Sequence, residues 1–284
     1  MAQSMLSIKQ RLNTVASIRK ITNAMKLIAA SRLARLQNNL RSARQYQAGM
    51  DACLQVCLAS VDFSRNPSTP TCLRVNEGER DLYIVVTSNL GLCGSYNAEI
   101  FRLLEERLTP QVDAIFIGEH GLRHFQSQVG RAYEDFLHLG ETLAFSEVNS
   151  FRHFCDHLYL REGYRAVYIA YTEPMNSIVT RAVIKKMFPL ISSEDSTKVI
   201  PQIEFDPDPV SAADQIVPHW LDAELYRCLL SAAVSEQTCR RNSMDSATDS
   251  ADDLLRQLRL ELNKMRQQRI TQEITEVVSG SSRS

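Results

Sequence analysis

The chain has 284 residues and a mass of 32.1 kDa, and its 44% hydrophobic, 23% charged and 7% aromatic residues exclude wholesale disorder and collagen-like repeats. Thirty-two basic residues against 33 acidic ones give a formal net charge of −1, so the global basic excess of a nucleic-acid binder is missing. No apolar run approaches the roughly 20 residues of a spanning helix, the N-terminus lacks an apolar signal core, and seven cysteines at scattered spacings make a poor disulfide framework.

Gly49 is the only glycine or proline before Pro67, and none lies between Pro218 and Gly280. These residues cost roughly 1 and 3 kcal/mol in a helix interior, so their exclusion predicts a long helix at each end. In the first, Ile8, Leu12, Val15, Ile18, Ile21, Met25, Ile28, Leu36, Leu40, Ala43, Met50, Leu54, Cys57 and Val61 recur mostly at three or four residues, the period of a coiled-coil seam. About 60 residues at 1.5 Å each form a rod of roughly 90 Å, too long to wrap inside one globule. Cys53 and Cys57, four apart, read as small hydrophobes rather than metal ligands.

The glycines and prolines gather in the middle. Asp81 to Ser88 reads as a buried strand, followed by the loop Asn89-Leu90-Gly91-Leu92-Cys93-Gly94-Ser95 and a helix over Tyr96 to Leu108. Val112 to Ile117 is a second strand and His120 to Gln128 a helical stretch. His153 to Arg161 lies in another helix, and Arg165 to Thr172 and Ser177 to Met187 are strands around the Glu173–Asn176 turn. Strands alternating with helices predict a small, Rossmann-like α/β domain with a largely parallel sheet. Gly91 and Gly94 satisfy neither phosphate-cradle fingerprint; His153 and His157 lack the glutamate of HExxH. No catalytic residue, metal site or cofactor is expected.

The last helix is predicted to begin near Pro218, which its first turn tolerates, and to stop at Gly280. Its seam is read as Trp220, Ala223, Leu229, Ala233, Met244, Ala247, Ala251, Leu254, Leu258, Leu262, Met265, Ile270, Ile274 and Val277. The fold class is thus α/β: a long antiparallel two-helix coiled coil from the two termini, with the α/β domain between. The divisions are 1–62 and 210–284 for the coil, 63–77 for a linker and 78–205 for the middle domain.

Residues 1 to 50 contain no Asp or Glu, while Lys9, Arg11, Arg19, Lys20, Lys26, Arg32, Arg35, Arg41 and Arg44 are spread along them. Asp245, Asp249, Asp252, Asp253 and Glu261 of the last helix neutralise this in part. A helix that forgoes i,i+4 pairing is expected to meet an acidic protein surface rather than nucleic acid. The residues alone leave open a non-motor coiled-coil scaffold and a nucleotide-dependent enzyme.

Specific motifs narrow the choice. Ile21-Thr22-Asn23-Ala24-Met25-Lys26-Leu27-Ile28-Ala29-Ala30-Ser31-Arg32-Leu33, Gly91-Leu92-Cys93-Gly94, Ser235-Glu236-Gln237, Ala247-Thr248-Asp249, Asn263-Lys264 and the closing Ile270 to Gly280 resemble the gamma subunit of F-type ATP synthase, the central rotor of its F1 sector. Asn89-Leu90, Asn23 and Ser281-Ser282 depart from that pattern. The resemblance implies a non-catalytic central-stalk subunit that couples ion flow through a membrane ring to ATP synthesis, or to reverse hydrolysis, in a hexamer. Its implied partners are three alpha and three beta subunits, epsilon and the c-ring. It implies contacts with beta through Met25, Arg240, Gln267 and Thr271, and a low-friction tip of Ile274, Val277, Val278 and Gly280. Charge alone adds Lys9, Lys20 and Arg32. Without a transit peptide, the expected location is peripheral, on the cytoplasmic face of a bacterial plasma membrane rather than the mitochondrial inner membrane. The stretch from Met187 to Pro209 is short and free of cysteine, so no thiol switch of the chloroplast kind is expected.

Overall fold

The structure, a computed structural model, describes residues 2–60, 70–176, 178–190, 204–206 and 208–281. Val61 of the predicted seam, linker residues 63–69, Ser177 at the start of the last predicted strand, and the 191–203 part of the cysteine-free stretch lie outside the described residues. In chain order the elements are α1 (Ala2–Ser60), β1 (Asp81–Val86), α2 (Tyr96–Leu104), β2 (Asp113–Ile117), α3 (Glu119–Phe125), β3 (Ala132–Tyr133), α4 (Leu139–Thr142), α5 (Phe145–Glu162), β4 (Ala166–Pro174), β5 (Thr180–Phe188) and α6 (Pro209–Ser281). The chain forms two compact units, Met1–Ala30 with Arg240–Ser284, and Ser31–Cys239; α1 and α6 each contribute to both.

The larger unit is built on one sheet of order β3-β2-β1-β4-β5, parallel except for the β4–β5 hairpin. β1 and β2 are almost wholly buried because helices cover both faces, which is why both read as unbroken apolar runs. On one face Ile100, Leu104 and Phe125 pack with Val85 and Phe116. On the other, Val148, Phe151 and Leu158 of α5, Leu221, Leu225 and Leu229 of α6, and Leu54 and Cys57 of α1 pack with Ile84, Ile115 and Ile169. Cys57 is the small buried hydrophobe expected, whereas Cys53 is exposed. Gly118, at φ +103°, opens α3 where an added Cβ would lie 2.2 Å from the Thr87 carbonyl oxygen, so the approach of β1 to this turn requires glycine.

α6 starts at Pro209, next to the 210–284 division and nine residues before Pro218, near which its first turn was expected. The Asp208 carboxylate accepts from the backbone N–H of Val210 (2.9 Å) and Ser211 (3.1 Å), and Pro209 fills the first helical position. Pro218 therefore lies inside the helix. It has no N–H to offer the Asp214 carbonyl, a cost offset by the burial of Val217, Trp220 and Leu221 around it. At the other end Gly280 falls within the last turn of α6 rather than beyond it.

The smaller unit is an antiparallel coiled coil. Arg19 Nε donates to Asp252 Oδ1 (2.5 Å), Lys26 Nζ donates to Asp245 Oδ1 (2.5 Å), and the Thr22 and Thr248 hydroxyls are hydrogen-bonded at 2.8 Å. Each pair of residue numbers adds to 270 or 271, as antiparallel helices require. The inner seam runs along Ile8, Leu12, Val15, Arg19, Thr22, Lys26 and Ala29 on α1 and Met244, Thr248, Ala251, Leu255, Leu258, Leu262 and Met265 on α6, every one of them buried or half-buried. Their alternating steps of three and four are a heptad seam.

This seam is one residue out of phase with the predicted one over part of its length. Ile18, Ile21 and Ile28 are 48%, 60% and 57% exposed, and Leu254 faces outward while Leu255 is buried. The sequence-based seam followed hydropathy, but the ion pairs and the threonine pair let polar side chains occupy these inner positions. Ile270, Ile274 and Val277 are exposed as well, because the register leaves nothing on α1 opposite residues beyond about 270.

Candidate partner-contact surface

Two apolar stripes of the coiled-coil unit have no partner among the described residues. On α1, Ile18, Ile21, Met25 and Ile28 repeat at three, four and three residues alongside the inner seam; Met25 is half-buried and the isoleucines face solvent. On α6, Ile270, Ile274, Val277 and Val278 line one face of a single helix, with Ile274, Val277 and Val278 at 58%, 72% and 64% exposure. Isolated exposed apolar side chains are ordinary, but stripes at helical spacing mark interaction surfaces.

The charges around the α1 stripe divide into two sets. Asp252 holds Arg19 by a hydrogen bond that raises the guanidinium pKa further, and Asp245 neutralises Lys26. Lys9, Lys20 and Arg32 are exposed and have no carboxylate within ion-pair distance among the described residues. Lys20, Arg19, Arg256 and Arg259 converge with Asp252 on a cleft of about 580 Å³ floored by Ala16, Leu255 and Leu260. Arg19 is paired with Asp252 and Arg256 with Asp253, which leaves Lys20 and Arg259 as the net positive charge that makes this cleft complementary to an acidic segment.

The polar positions behave differently from one another. Gln267 and Thr271 are exposed on one face of α6, and the Thr271 hydroxyl donates to the Gln267 carbonyl (3.0 Å). With Lys264, Gln268, Gln272 and Thr275 they line a shallow groove. Arg240, by contrast, is 7% exposed and already engaged within the chain. Gly280 sits in the final turn of the tip helix. Sequence reading set Asp245 and Asp252 among the acids that partly neutralise the bases of α1, but it did not assign the pairs Arg19–Asp252 and Lys26–Asp245. The signal was present: two bases seven apart on one helix and two acids seven apart on the other.

The middle-domain loop is tied inward. Asn89 Nδ2 donates to Glu141 Oε1 (2.5 Å), while Asn89 Oδ1 accepts from the Glu119 backbone N–H (2.9 Å), so this uncommon residue joins the loop to α3 and α4. Leu92, at φ +63°, occupies a left-handed turn, and Leu90 and Leu92 are exposed. Sheets of this order take ligands at the C-terminal ends of the strands where the order reverses, here β1 and β4. At that end of β4, Ser235 of α6 donates to the Thr172 carbonyl (3.0 Å), and both residues are fully buried.

Comparison with known proteins agrees with this geometry. The sequence profile of the ATP synthase family matches residues 4–282. ATP synthase gamma chains of Mycoplasmopsis synoviae and Heliobacterium modesticaldum are 32% and 30% identical to this chain, each alignment covering 98% of both proteins. The gamma chain of Mycolicibacterium paratuberculosis is 32% identical over 99% of this chain and 98% of its own. Among solved structures, a chain of the Euglena gracilis mitochondrial ATP synthase OSCP/F1/c-ring assembly in rotational state 3 shares the fold with a TM-score of 0.69 at 14% identity, covering 99% of this chain and 95% of that one. A chain from the rotor of the same synthase in rotational state 1 has a TM-score of 0.65 at 13% identity, over 95% and 100% of the two chains.

Proposed function

The chain belongs to the ATP synthase family, among its gamma chains, and from that premise we propose how its surfaces perform the work of a central-stalk rotor. The coiled-coil unit sits in the bore of a ring of three alpha and three beta subunits. The middle domain rests with epsilon on the c-ring, and ion flow through that ring turns the chain. The divisions 1–62, 63–77, 78–205 and 210–284 separate coil, linker and domain in this reading. The observation that carries it is the stripe Ile18, Ile21, Met25 and Ile28, whose isoleucines face solvent beside the polar stretch Arg19, Thr22 and Lys26 of the inner seam and are flanked by unpaired Lys20.

The two helices present unlike faces. α1 is free of acids over its first 50 residues, whereas α6 carries Asp249, Asp253, Glu261, Glu273 and Glu276. Three identical beta subunits around this asymmetric shaft meet three different sets of contacts, and differential contact energy is what shifts a conformational equilibrium. Binding linkage is reciprocal, so hydrolysis in the ring turns the shaft in reverse. Met25, Lys9, Lys20, Arg32, Gln267 and Thr271 touch beta. Arg240 acts from its buried position by setting the surface around it, and Ile274, Val277, Val278 and Gly280 form the low-friction tip.

The chain itself is non-catalytic in this reading, supported by α6 lying where such a sheet takes a ligand. It is peripheral to a bacterial plasma membrane on the cytoplasmic face. The gamma chains of Mycoplasmopsis synoviae and Mycolicibacterium paratuberculosis, each 32% identical, are bacterial, and no described helix is long and apolar enough to cross a membrane. Reconstitution of alpha and beta with this chain tests the assignment. Gln267→Ala with Thr271→Ala lowers ATPase turnover without blocking assembly, and unchanged turnover removes these two residues from the contact set.

A further inference from the structure

Within the larger unit, α6 carries two buried carboxylates two residues apart, Asp222 and Glu224, each 1% exposed. At about 100° per residue they leave the helix on nearly opposite sides. Asp222 Oδ1 accepts from Arg152 Nε (2.7 Å) and its Oδ2 from Asn149 Nδ2 (2.8 Å), both on α5. Glu224 Oε1 accepts from Lys185 Nζ on β5 (2.6 Å), and Arg227 grips both Glu224 oxygens from one turn on (2.6 and 2.9 Å). Arg152 is itself buried and bonded to Asp156. Arg227 reaches the Tyr171 hydroxyl of β4 at 3.2 Å. One helix is therefore held from two sides by directional, charged contacts to two different elements.

Stability alone is a weak reason for this arrangement. Well-packed apolar residues in place of a buried ion pair are often neutral or stabilising, and Leu221, Leu225 and Leu229 already supply apolar burial here. Direction is what the ion pairs add. At about 6 Å from the helix axis, a roll of roughly 20° moves a carboxylate by about 2 Å, which breaks a hydrogen bond of normal length. Rolling either way strains both anchors together, because they sit on opposite sides.

We propose that Asp222 and Glu224 are positioning residues that form a torsional key, fixing α6 against rotation about its own axis so that torque passes between the sheet and the remainder of the helix without slip. The proposal rests on the rotor reading above. It assigns a role to residues that touch no partner.

The test uses the whole complex with its membrane sector in inverted vesicles. ATP hydrolysis is measured beside ATP-driven ion pumping, the latter read as membrane potential with an oxonol dye. Asp222→Asn with Glu224→Gln, and separately Lys185→Met, lose pumping per ATP hydrolysed while hydrolysis continues; Lys185→Arg retains the wild-type ratio. A merely structural role moves the melting temperature and leaves that ratio alone. Should the double variant fail to assemble, Lys185→Met decides, since Lys185 is 41% exposed and Glu224 keeps Arg227. Assembled variants with the wild-type pumping ratio overturn the key alone. A wild-type chain that restores no pumping to a complex lacking its gamma subunit overturns the rotor reading and the key with it.

Discussion

Replacing Ile18, Ile21 and Ile28 together by glutamine isolates the outward stripe of α1. The three are 48%, 60% and 57% exposed, so about half of each remains to be covered by a partner. Full burial of an isoleucine is worth about 2.5 kcal/mol, which leaves about 1.4 kcal/mol for each on assembly and about 4 kcal/mol for the three. That sum corresponds to about a thousandfold in the association constant. Glutamine keeps helix propensity near that of the residues it replaces, and the inner seam is untouched, so far-UV circular dichroism of the free chain keeps its helical signal. The assay is competition: differently tagged wild-type and variant chains contend for a limiting alpha–beta ring, and the tags in purified complexes are counted. Equal incorporation at equal concentration refutes the argument that a partner covers this stripe.

The remaining predictions concern the chain's own stability. Asp252→Asn lowers the melting temperature only slightly, because both partners of the Arg19 pair are more than two-fifths exposed, and the difference from wild type shrinks in melts at high salt. Arg152→Ala leaves Asp222 and Asp156 facing each other without their cation and costs about 3–5 kcal/mol, read as a lower urea midpoint. Burial raises the Asp156 carboxyl above its ordinary value in spite of Arg152, so the folded chain holds that proton more tightly than the unfolded chain. Its contribution is complete below the ordinary carboxylate range and is lost as pH rises through the folded value. Glu224 has the opposite sign: burial pushes it up, but the hydrogen bonds from Arg227 and the Lys185 charge hold it lower. Its contribution is present above the ordinary range and lost as pH falls through the folded value. Melting temperature against pH for Asp156→Asn therefore loses the decline on the alkaline side of the carboxylate range, and for Glu224→Gln the decline on the acid side; matching curves for both refute the assignment.

The distribution of glycine and proline was enough to locate both long helices, since a breaker-free run of that length has few other outcomes. The parallel strands were legible for a related reason: residues covered on both faces are apolar throughout. Boundaries set by capping were less visible. Asp208-Pro209 is a good start signal, whereas Pro218 reads as a first-turn proline although its helix-breaking cost is met here by surrounding packing. β3 has two residues and α4 four, too few for any period to show. At the candidate surface, Gln267, Thr271 and the tip stripe lie exposed on α6, whereas Arg240 does not, because the same arginine that suits an interface also suits a buried network. Hydropathy drew the α1 seam through Ile18, Ile21 and Ile28. It cannot tell an apolar stripe that serves the fold from one that waits for another subunit.

That ambiguity has a physical counterpart in the inner seam. A heptad coil has alternative alignments seven residues apart that bury similar apolar surface. Here they are not equivalent. Arg19 faces Asp252 and Lys26 faces Asp245. Sliding one heptad in one direction keeps Arg19 near Asp245 but sets Lys26 against Thr238; sliding the other way brings Lys26 to Asp252 but Arg19 to Arg259, a like-charge pair. Only the observed alignment satisfies both bases and also joins Thr22 to Thr248. These half-exposed pairs contribute little stability, so their effect is on which alignment forms. A seam of isoleucines would bind more tightly and discriminate less. Placing the isoleucines outside and the charges inside gives the coil one register and leaves its apolar surface available to a partner.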